Sequence, residues 1–511
     1  MQNNDKKVLL RISNLKQYFP LKGGRFVKAN DGITLDIYEG ETFGLVGESG
    51  CGKSTLGRTI LQLYHQTYGR TMYYGRSLDD LAPKYVIDTV KNLKARRTKL
   101  RELEQKRDKL EAEYAKLSEK EQYAKHGELD TARKLAEDAL LDITKIVGGF
   151  LVVDDLDPVI AAYSKDYAIA RKLSSMEEKR QELLVDVDDA EYAKKAAEEA
   201  GKSGKDDQLQ KAQEKLKQCD DQIAALRAQL DAGRKEIEAL RAPYANDPEF
   251  QKYEAYRDDG IDLARLEYNE MRRLRRDMQL IFQDPYSSLN PRMSVGQIIS
   301  EGMQAHNMIK KKDARMQEMV LKIMDDCGLA PYFLHRFPHQ FSGGQRQRIG
   351  IARALATKPK FVVCDEAVSA LDVSIQAQII NLLLDLKEQQ NLTYMFITHD
   401  LSVVKYISDR VGVMYLGTMV ELAAADEIFH HPIHPYTEAL LNAIPTTDTV
   451  GAKELSILEG DIPSPVNPPK GCKFHTRCKY CTEICTQVVP EWEEVRPNHF
   501  VACHHKLEAK E

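Results

Sequence analysis

The chain contains 511 residues, of which 42% are hydrophobic and 30% are charged, and its formal net charge is −5 at pH 7. This predicts a soluble protein of about two to four domains, and the mild acidity argues against a general nucleic-acid-binding protein. No apolar run approaches the ~18 residues that span a bilayer, and the start, MQNNDKKVLLRIS, lacks the apolar segment of a secretory signal. We therefore expect a cytosolic chain that reaches a membrane only through a partner.

A glycine-rich motif, GESGCGKST, lies between a predicted buried strand, ETFGLVG, and a sequence with helical spacing, STLGRTILQL. It fills every fixed position of the phosphate-binding pattern G-x-x-x-x-G-K-[ST]. Lys53 would reach the β- and γ-phosphates, and the hydroxyl of Ser54 would ligate Mg²⁺. The sequence therefore predicts a nucleoside triphosphate site, held by Gly47, Ser49, Gly50, Cys51, Gly52, Lys53, Ser54 and Thr55.

The sequence becomes charged and rich in alanine and leucine between about Pro83 and Arg275. Apolar residues follow one heptad frame from Leu93 to Leu117, and a second series steps by three and four from Leu209 to Leu240. Both series are typical of coiled coils. We expect these two arms to form one antiparallel hairpin, with residues 125–205 at its tip. The insertion is either a docking element or a solvated helical segment without a specific function.

Strand-like and helix-like segments alternate again after the insertion. Strands are predicted in DMQLIFQDP, KFVVCDE, LTYMFITHD and DRVGVMYLGTMVE, and a helical stretch is predicted from about Val295 to Phe337. This alternation predicts an α/β core with a parallel sheet.

The segment FSGGQRQRIGIARAL contains Phe341–Gln345, which resembles the L-S-G-G-Q signature of ATP-binding-cassette (ABC) ATPases, with phenylalanine at the first position. The other motifs of that family are matched in order by Gln283 (Q-loop), Asp365 and Glu366 (Walker B), Ser369–Asp372 (D-loop) and His399 (switch histidine). Ala367 stands where the family usually has proline.

The resemblance implies a role for each matched residue. Lys53, Gln283, Glu366 and His399 would form the catalytic set, with Glu366 as the base and His399 on the γ-phosphate. Mg²⁺ would be held by Ser54, Gln283 and Asp365. Phe19 would stack on adenine, with Tyr18 or Phe26 as alternatives. In a dimer of cassettes, the nucleotide of the opposite subunit would be contacted by Ser342, Gly343, Gly344, Gln345 and Asp372.

The C-terminal segments LEGDIPSPVNPPKGCKFHTRC and VRPNHFVACHH resemble the extension of oligopeptide and dipeptide permease ATPases, nearer the F-type than the D-type subunit. That family can hold an iron–sulfur cluster at the positions matched here by Cys472, Cys478, Cys485 and Cys503. Four thiolates suit either [4Fe–4S] or Zn²⁺, and their spacing favours iron and sulfur. Unligated thiols are the third reading, and Cys481 is an extra cysteine.

Together these observations predict an α/β ABC-type P-loop ATPase core with a helical subdomain, an inserted antiparallel coiled-coil hairpin and a small cysteine-containing C-terminal extension. The expected boundaries are 1–82 and 271–435 for the core, about 287–345 for the helical signature subdomain, 83–270 for the insertion and 436–511 for the extension.

The expected function is hydrolysis of ATP to power import of oligopeptides or dipeptides through a membrane transporter. The expected partners are a second, non-identical ABC ATPase subunit, two transmembrane permease subunits and, indirectly, an extracellular peptide-binding protein, with no nucleic acid. This places the chain peripherally on the cytoplasmic face of the cell membrane. The alternative is a coiled-coil ABC ATPase acting on DNA or chromosomes. The position of the insertion, before both the Q-loop and the signature, argues against it.

Overall fold

The computed structural model describes residues 6–117, 119–200, 206–310, 315–443, 458 and 460–507. The chain divides into two compact units. We call Met1–Gly75 with Met271–Glu511 the sheet unit, and Arg76–Glu270 the helical unit.

The elements follow one another along the chain in three segments. The first segment contains β1 (Val8–Pro20), β2 (Phe26–Tyr38), β3 (Thr42–Val46), α1 (Lys53–Ile60) and β4 (Tyr68–Tyr73). The second contains α2 (Leu78–Leu81), α3 (Lys84–Lys91), α4 (Leu93–Tyr114), α5 (Glu119–Val147), α6 (Asp157–Glu199), α7 (Asp206–Arg241), α8 (Pro248–Glu254), β5 (Ile261–Asp262) and α9 (Tyr268–Leu274). The third contains β6 (Met278–Ile281), α10 (Val295–Ala305), α11 (Met316–Asp326), α12 (Gly343–Leu355), β7 (Phe361–Asp365), α13 (Val373–Gln390), β8 (Thr393–Ile397), α14 (Leu401–Ile407), β9 (Arg410–Tyr415), β10 (Thr418–Ala424), α15 (Ala425–His430), α16 (Pro435–Asn442), α17 (Glu483–Gln487), β11 (Glu493–Arg496) and β12 (His499–Val501).

The sheet unit is built on an eight-stranded sheet with the order β11-β12-β10-β9-β3-β8-β7-β6. The pairs from β9 through β3, β8 and β7 to β6 are parallel, and the remaining pairs are antiparallel. Every residue of β3, β7 and β8 is buried, as expected for central strands of a parallel sheet. In the same unit β1 pairs antiparallel with β2 and with β4. The predicted α/β core with a parallel sheet is therefore confirmed.

The C-terminal segment, expected as an extension from residue 436, continues this sheet. Strand β12 pairs with β10, and β11 pairs with β12. Phe474 is buried and packs against Tyr415 of β9 and Tyr436 of α16, with ring centroids 5.2 Å away in both cases. Proline-rich residues 462–469 form neither helix nor strand. The segment is thus held by the core through two strands and one aromatic anchor.

The helical unit consists largely of two successive helical hairpins. Helix α4 packs along α5, where Arg133 binds Glu111 with Nε and Oε1 2.6 Å apart. Helix α6 packs along α7, where Lys165 binds Glu236 at 2.7 Å. The predicted pairing of the two apolar arms along their lengths is therefore wrong. Each arm instead packs against a long helix formed by the segment expected at the tip.

An apolar stripe along α7 explains why this helix packs against α6. The buried uncharged residues of α7, which packs along α6, recur at helical spacing: Cys219, Ile223, Leu230, Gly233 and Ile237. A Cβ at Gly233 would lie 2.5 Å from an Asp166 side-chain oxygen, so a larger residue there would displace that carboxylate. None of the helices in the described part of the chain is both long and apolar enough to cross a membrane.

The α6–α7 packing predicts a large stability effect of Leu230→Ala. Leu230 is 3% exposed in the cluster that α6 and α7 share. The substitution should therefore lower the free energy of unfolding of this unit by about 2–5 kcal/mol, as cavities in packed cores do. Urea titration followed by helical circular dichroism measures the loss. The neighbouring exposed-face variant Gln229→Ala should cost less than about 0.5 kcal/mol. Equal effects of the two variants would contradict the packing.

Candidate nucleotide-binding and hydrolysis site

Four loops of the sheet unit meet at one edge of the parallel sheet. The register pairs Leu45 of β3 with Ile397 of β8, and Ile397 with Asp365 of β7. The carboxyl ends of these strands are therefore level, and ligands of open α/β sheets bind at such an edge. The loops that leave it carry the glycine-rich motif after β3, Gln283 after β6, Glu366 after β7 and His399 after β8.

Glycine is required at two positions of the loop after β3. Gly47 has φ +150°, and a Cβ there would lie 2.2 Å from the carbonyl oxygen of Met414. Gly52 has φ +104°, and a Cβ there would lie 2.1 Å from the carbonyl oxygen of Ala29. Side chains at these positions would collide with neighbouring backbone, so the loop needs glycine to take this path.

Lys53 lies within the curve of the loop. Its side chain is buried, and its Nζ donates to the carbonyl oxygens of Gly47 at 2.7 Å and Glu48 at 3.1 Å. Buried Asn30, on β2, donates from its side chain to the carbonyl oxygen of Gly52 at 3.0 Å. These bonds hold the ammonium group at the first turn of α1, where backbone N–H groups favour an anion.

Ser54 and Asp365 are brought together from opposite ends of the sequence. The Ser54 hydroxyl donates to Oδ1 of Asp365 at 2.5 Å, and Arg58 donates to Oδ2 at 3.2 Å. Asp365 is fully buried. An oxygen pair of this kind is the donor set that Mg²⁺ prefers, with phosphate oxygens and waters completing its shell. The residues therefore fit a magnesium–nucleotide site.

Glu366 is the centre of a second group. Its Oε2 accepts a hydrogen bond from the Gln283 side chain at 2.6 Å, and its Oε1 lies 3.5 Å from Nδ1 of His399. The backbone of Glu366 has φ +48°, an unusual value for a residue other than glycine. Strain of this kind clusters at functional sites. The structure thus brings together three of the four residues of the expected catalytic set.

The signature and the D-loop lie at helix starts. The Ser342 hydroxyl accepts from the backbone N–H of Gln345 at the start of α12, and the Gln345 side chain accepts from the backbone N–H of Ser342. Asp372 accepts from the backbone N–H of Ile375 at the start of α13. Ser342 and Gly343 are exposed, whereas Gly344 packs on Ile375. Ser342, Gly343 and Asp372 are therefore exposed at the surface of their own chain, Gln345 is half-buried and Gly344 is buried.

The three candidate aromatics differ in their surroundings. Phe19 is half-buried and meets Tyr64 edge-on, with centroids 5.3 Å apart. The Tyr18 hydroxyl donates to Asp31 at 2.5 Å, and Phe26 is exposed. Phe19 as the adenine-stacking residue stays a prediction.

Sequence reasoning missed Arg58 and Asn30. Arg58 stands four residues after Ser54, which places both side chains on one face of α1. That spacing could have identified it. Asn30 gave no local signal, because its contact with the loop depends on the approach of β2.

Each of the five C-terminal cysteines interacts electrostatically with at least one of the others. The backbone N–H of Cys472 donates to the carbonyl oxygen of Cys485 at 2.8 Å. Burial, then the nearby Cys485 and Cys478, raises the pKa of Cys472 to about 11. Burial and the other three cysteines raise the pKa of Cys503 to about 12. In the described part of the chain, no group of three or more His, Cys, Asp or Glu side chains is arranged to hold a metal ion.

Comparison with known proteins agrees with this geometry. A family model described as "ABC transporter" matches residues 30–251 and 250–369. A second, "Oligopeptide/dipeptide transporter, C-terminal region", matches residues 420–485. The chain therefore belongs to the ABC transporter family of ATP-hydrolysing proteins. The predicted resemblance to its oligopeptide and dipeptide branch is confirmed.

Three relatives illustrate the relationship. The oligopeptide transport ATP-binding protein AppF of Bacillus subtilis is 52% identical over 250 residues, covering 48% of this chain and 75% of that protein. A putative peptide import ATP-binding protein of Brucella ovis is 54% identical over 245 residues, covering 48% and 77%. The putative oligopeptide transport ATP-binding protein YkfD of Bacillus subtilis is 34% identical over 498 residues, covering 97% and 95%.

Proposed function

We propose that this chain hydrolyses ATP to power the import of oligopeptides or dipeptides. The observation that carries the proposal is the convergence of Gln283 and His399 on Glu366, at the sheet edge where Ser54 meets Asp365. The names of the relatives and the matched C-terminal region supply the substrate class. The alternative of an ATPase acting on DNA is not favoured.

Each side chain of the site can be given a role in ATP binding. Lys53 would exchange its two carbonyl partners for oxygens of the β- and γ-phosphates. Ser54 and Asp365 would hold Mg²⁺, with Gln283 nearby. When bound, this ion neutralises charge on the phosphates. Arg58 would keep the Asp365 carboxylate oriented while Ser54 turns toward the nucleotide.

Hydrolysis needs a group that orients and polarises a water. Glu366 would accept a hydrogen bond from this water and then take its proton, as Asp and Glu side chains do in general base catalysis. Gln283 fixes one carboxylate oxygen of Glu366, and His399 lies beside the other. His399 is exposed, so it is free to contact the γ-phosphate as the ligand arrives. Positioning and charge neutralisation supply most of the catalysis in phosphoryl transfer.

We also propose the partners. The exposed Ser342, Gly343 and Asp372, with Gly344 and Gln345, would complete the nucleotide site of a second, non-identical ATPase subunit. Exposed Tyr286, with the Arg346 guanidinium 4.4 Å from its ring centroid, lies just after Gln283 and suits a surface for two transmembrane permease subunits. Such docking would place the chain on the cytoplasmic face of the membrane. An extracellular peptide-binding protein would act through those subunits.

Glu366→Gln tests the catalytic proposal. The substitution preserves the side-chain shape and removes the carboxylate, so ATP binding should remain while turnover falls by roughly a hundredfold or more. Phosphate release and ATP binding should be measured with the assembled transporter. Glu427→Gln, on α15, is the matched control and should hydrolyse ATP normally. Near-normal hydrolysis by Glu366→Gln would remove this residue from the role.

We further propose that Cys472, Cys478, Cys485 and Cys503 bind one metal centre, more readily [4Fe–4S] than Zn²⁺. Their proximity supports this, because neighbouring thiols in a reducing compartment are typical metal ligands. The centre would draw the four sulfurs together. It would also brace the proline-rich segment before Cys472.

Metal analysis tests this assignment. Anaerobically purified protein should contain close to one centre per chain, and Cys472→Ser combined with Cys478→Ser should lose it. Binding displaces the protons of these thiols, so loading should weaken as the pH falls. Cys219→Ser, in the helical unit, should keep its metal. Less than about a tenth of an equivalent of iron or zinc in folded wild-type protein would leave the cysteines as plain thiols.

A further inference from the structure

Glu48, the second residue of the phosphate-binding loop, is held on three sides. Its carbonyl oxygen accepts from Nζ of Lys53 at 3.1 Å. Its backbone N–H donates to the hydroxyl of Tyr436, a fully buried residue, at 3.0 Å. Its carboxylate is bound by Arg477. Two of these three partners come from the C-terminal segment that follows β10.

The Arg477 contact is a two-pronged ion pair. Nη1 and Nη2 donate to Oε2 and Oε1 of Glu48 at 2.7 and 3.0 Å, respectively. The Arg477 side chain is 4% exposed, whereas that of Glu48 is 24% exposed. Two parallel bonds from a planar guanidinium fix the direction of the carboxylate as well as its distance. Arg477 therefore determines where the Glu48 side chain lies.

Arg477 is itself well anchored. Its backbone N–H donates to the carbonyl oxygen of Phe474 at 3.0 Å, and Phe474 is packed between Tyr415 and Tyr436. The guanidinium lies 6.0 Å from the ring centroid of Tyr415. The C-terminal segment thus presents a rigid cation to the loop.

Because Glu48 is charged, its ion pair with Arg477 affects nucleotide binding. A carboxylate within the loop that receives the phosphates repels them unless it is neutralised. Arg477 neutralises it and fixes its direction through two hydrogen bonds, so the ammonium group of Lys53 remains available for phosphate oxygens. The ammonium group of Lys53, the cation of the glycine-rich motif itself, instead donates to the backbone carbonyl oxygens of Gly47 and Glu48.

We propose that Arg477 is a positioning residue of the nucleotide site, which neutralises and orients Glu48 so that the loop accepts a polyphosphate. This inference rests on the proposed ATPase function and adds the C-terminal segment to its nucleotide site. Arg477 therefore affects the affinity for the charged phosphates and not the affinity for the nucleoside.

Isothermal titration of the full-length chain with MgATP and with adenosine tests the proposal. Arg477→Ala leaves the Glu48 carboxylate unpaired, so the Kd for MgATP should rise roughly tenfold or more while that for adenosine changes little. The double variant Glu48→Gln/Arg477→Ala should recover most of the lost affinity, because the repelling charge is gone. Added salt should reduce the penalty of the single variant. Arg496→Ala, which removes an arginine paired with Glu427, is the matched control and should bind MgATP normally.

Several outcomes would overturn the inference. Unchanged MgATP affinity in Arg477→Ala, equal losses for MgATP and adenosine, or no recovery in the double variant would each leave Arg477 as a merely structural residue. If Arg477→Ala does not fold, Arg477→Lys replaces it, because one ammonium cannot reproduce the paired bonds; its smaller loss should also be recovered by Glu48→Gln. Wild-type protein that binds no MgATP would overturn the proposed function together with the inference. Wild-type binding with an unaffected variant would overturn the inference alone.

Discussion

The hydrogen bond between Ser54 and Asp365 is the contact on which the candidate site depends. It joins the first turn of α1 to the end of β7 across 311 positions of sequence. A fully buried carboxylate is costly unless it is paired, and Ser54 and Arg58 both belong to α1. The same bonds that satisfy Asp365 therefore fix α1 over the sheet, with Lys53 at its start. The hydrogen bonds to Asp365 therefore both stabilise the core and place the phosphate-binding loop.

The central part of this arrangement was predictable from the sequence because each functional residue directly follows a strand or begins a helix. Glu366 follows the buried run FVVCD, and His399 follows TYMFI. Strands that are buried on both faces are continuously apolar, so their carboxyl ends can be read from the sequence. That Gln283, Glu366 and His399 meet depends on the strand order, which periodicity does not show. The family resemblance instead assigned these three residues to one catalytic set.

The remaining features depend on contacts that leave no local pattern. Apolar spacing identified both arms of the insertion but could not choose their partners, since α5 and α6 are also helical and offer nearer surfaces. The C-terminal strands have only four and three residues, too short for a period-two signal. The Arg477–Glu48 pair spans 429 positions. This pair forms only in the folded protein, because the packing of Phe474 against the core brings Arg477 to Glu48.

The most direct measurement of the central claim is a titration with Mn²⁺ in place of Mg²⁺, followed by electron paramagnetic resonance, in the presence of a non-hydrolysable ATP analogue. Wild-type protein should bind one Mn²⁺ per chain only when the nucleotide is present, because the Ser54–Asp365 pair supplies too few ligands alone. Ser54→Ala should abolish this nucleotide-dependent signal, whereas Ser175→Ala, at an exposed position of α6, should leave it unchanged. Equal Mn²⁺ binding by wild type and Ser54→Ala would contradict the account.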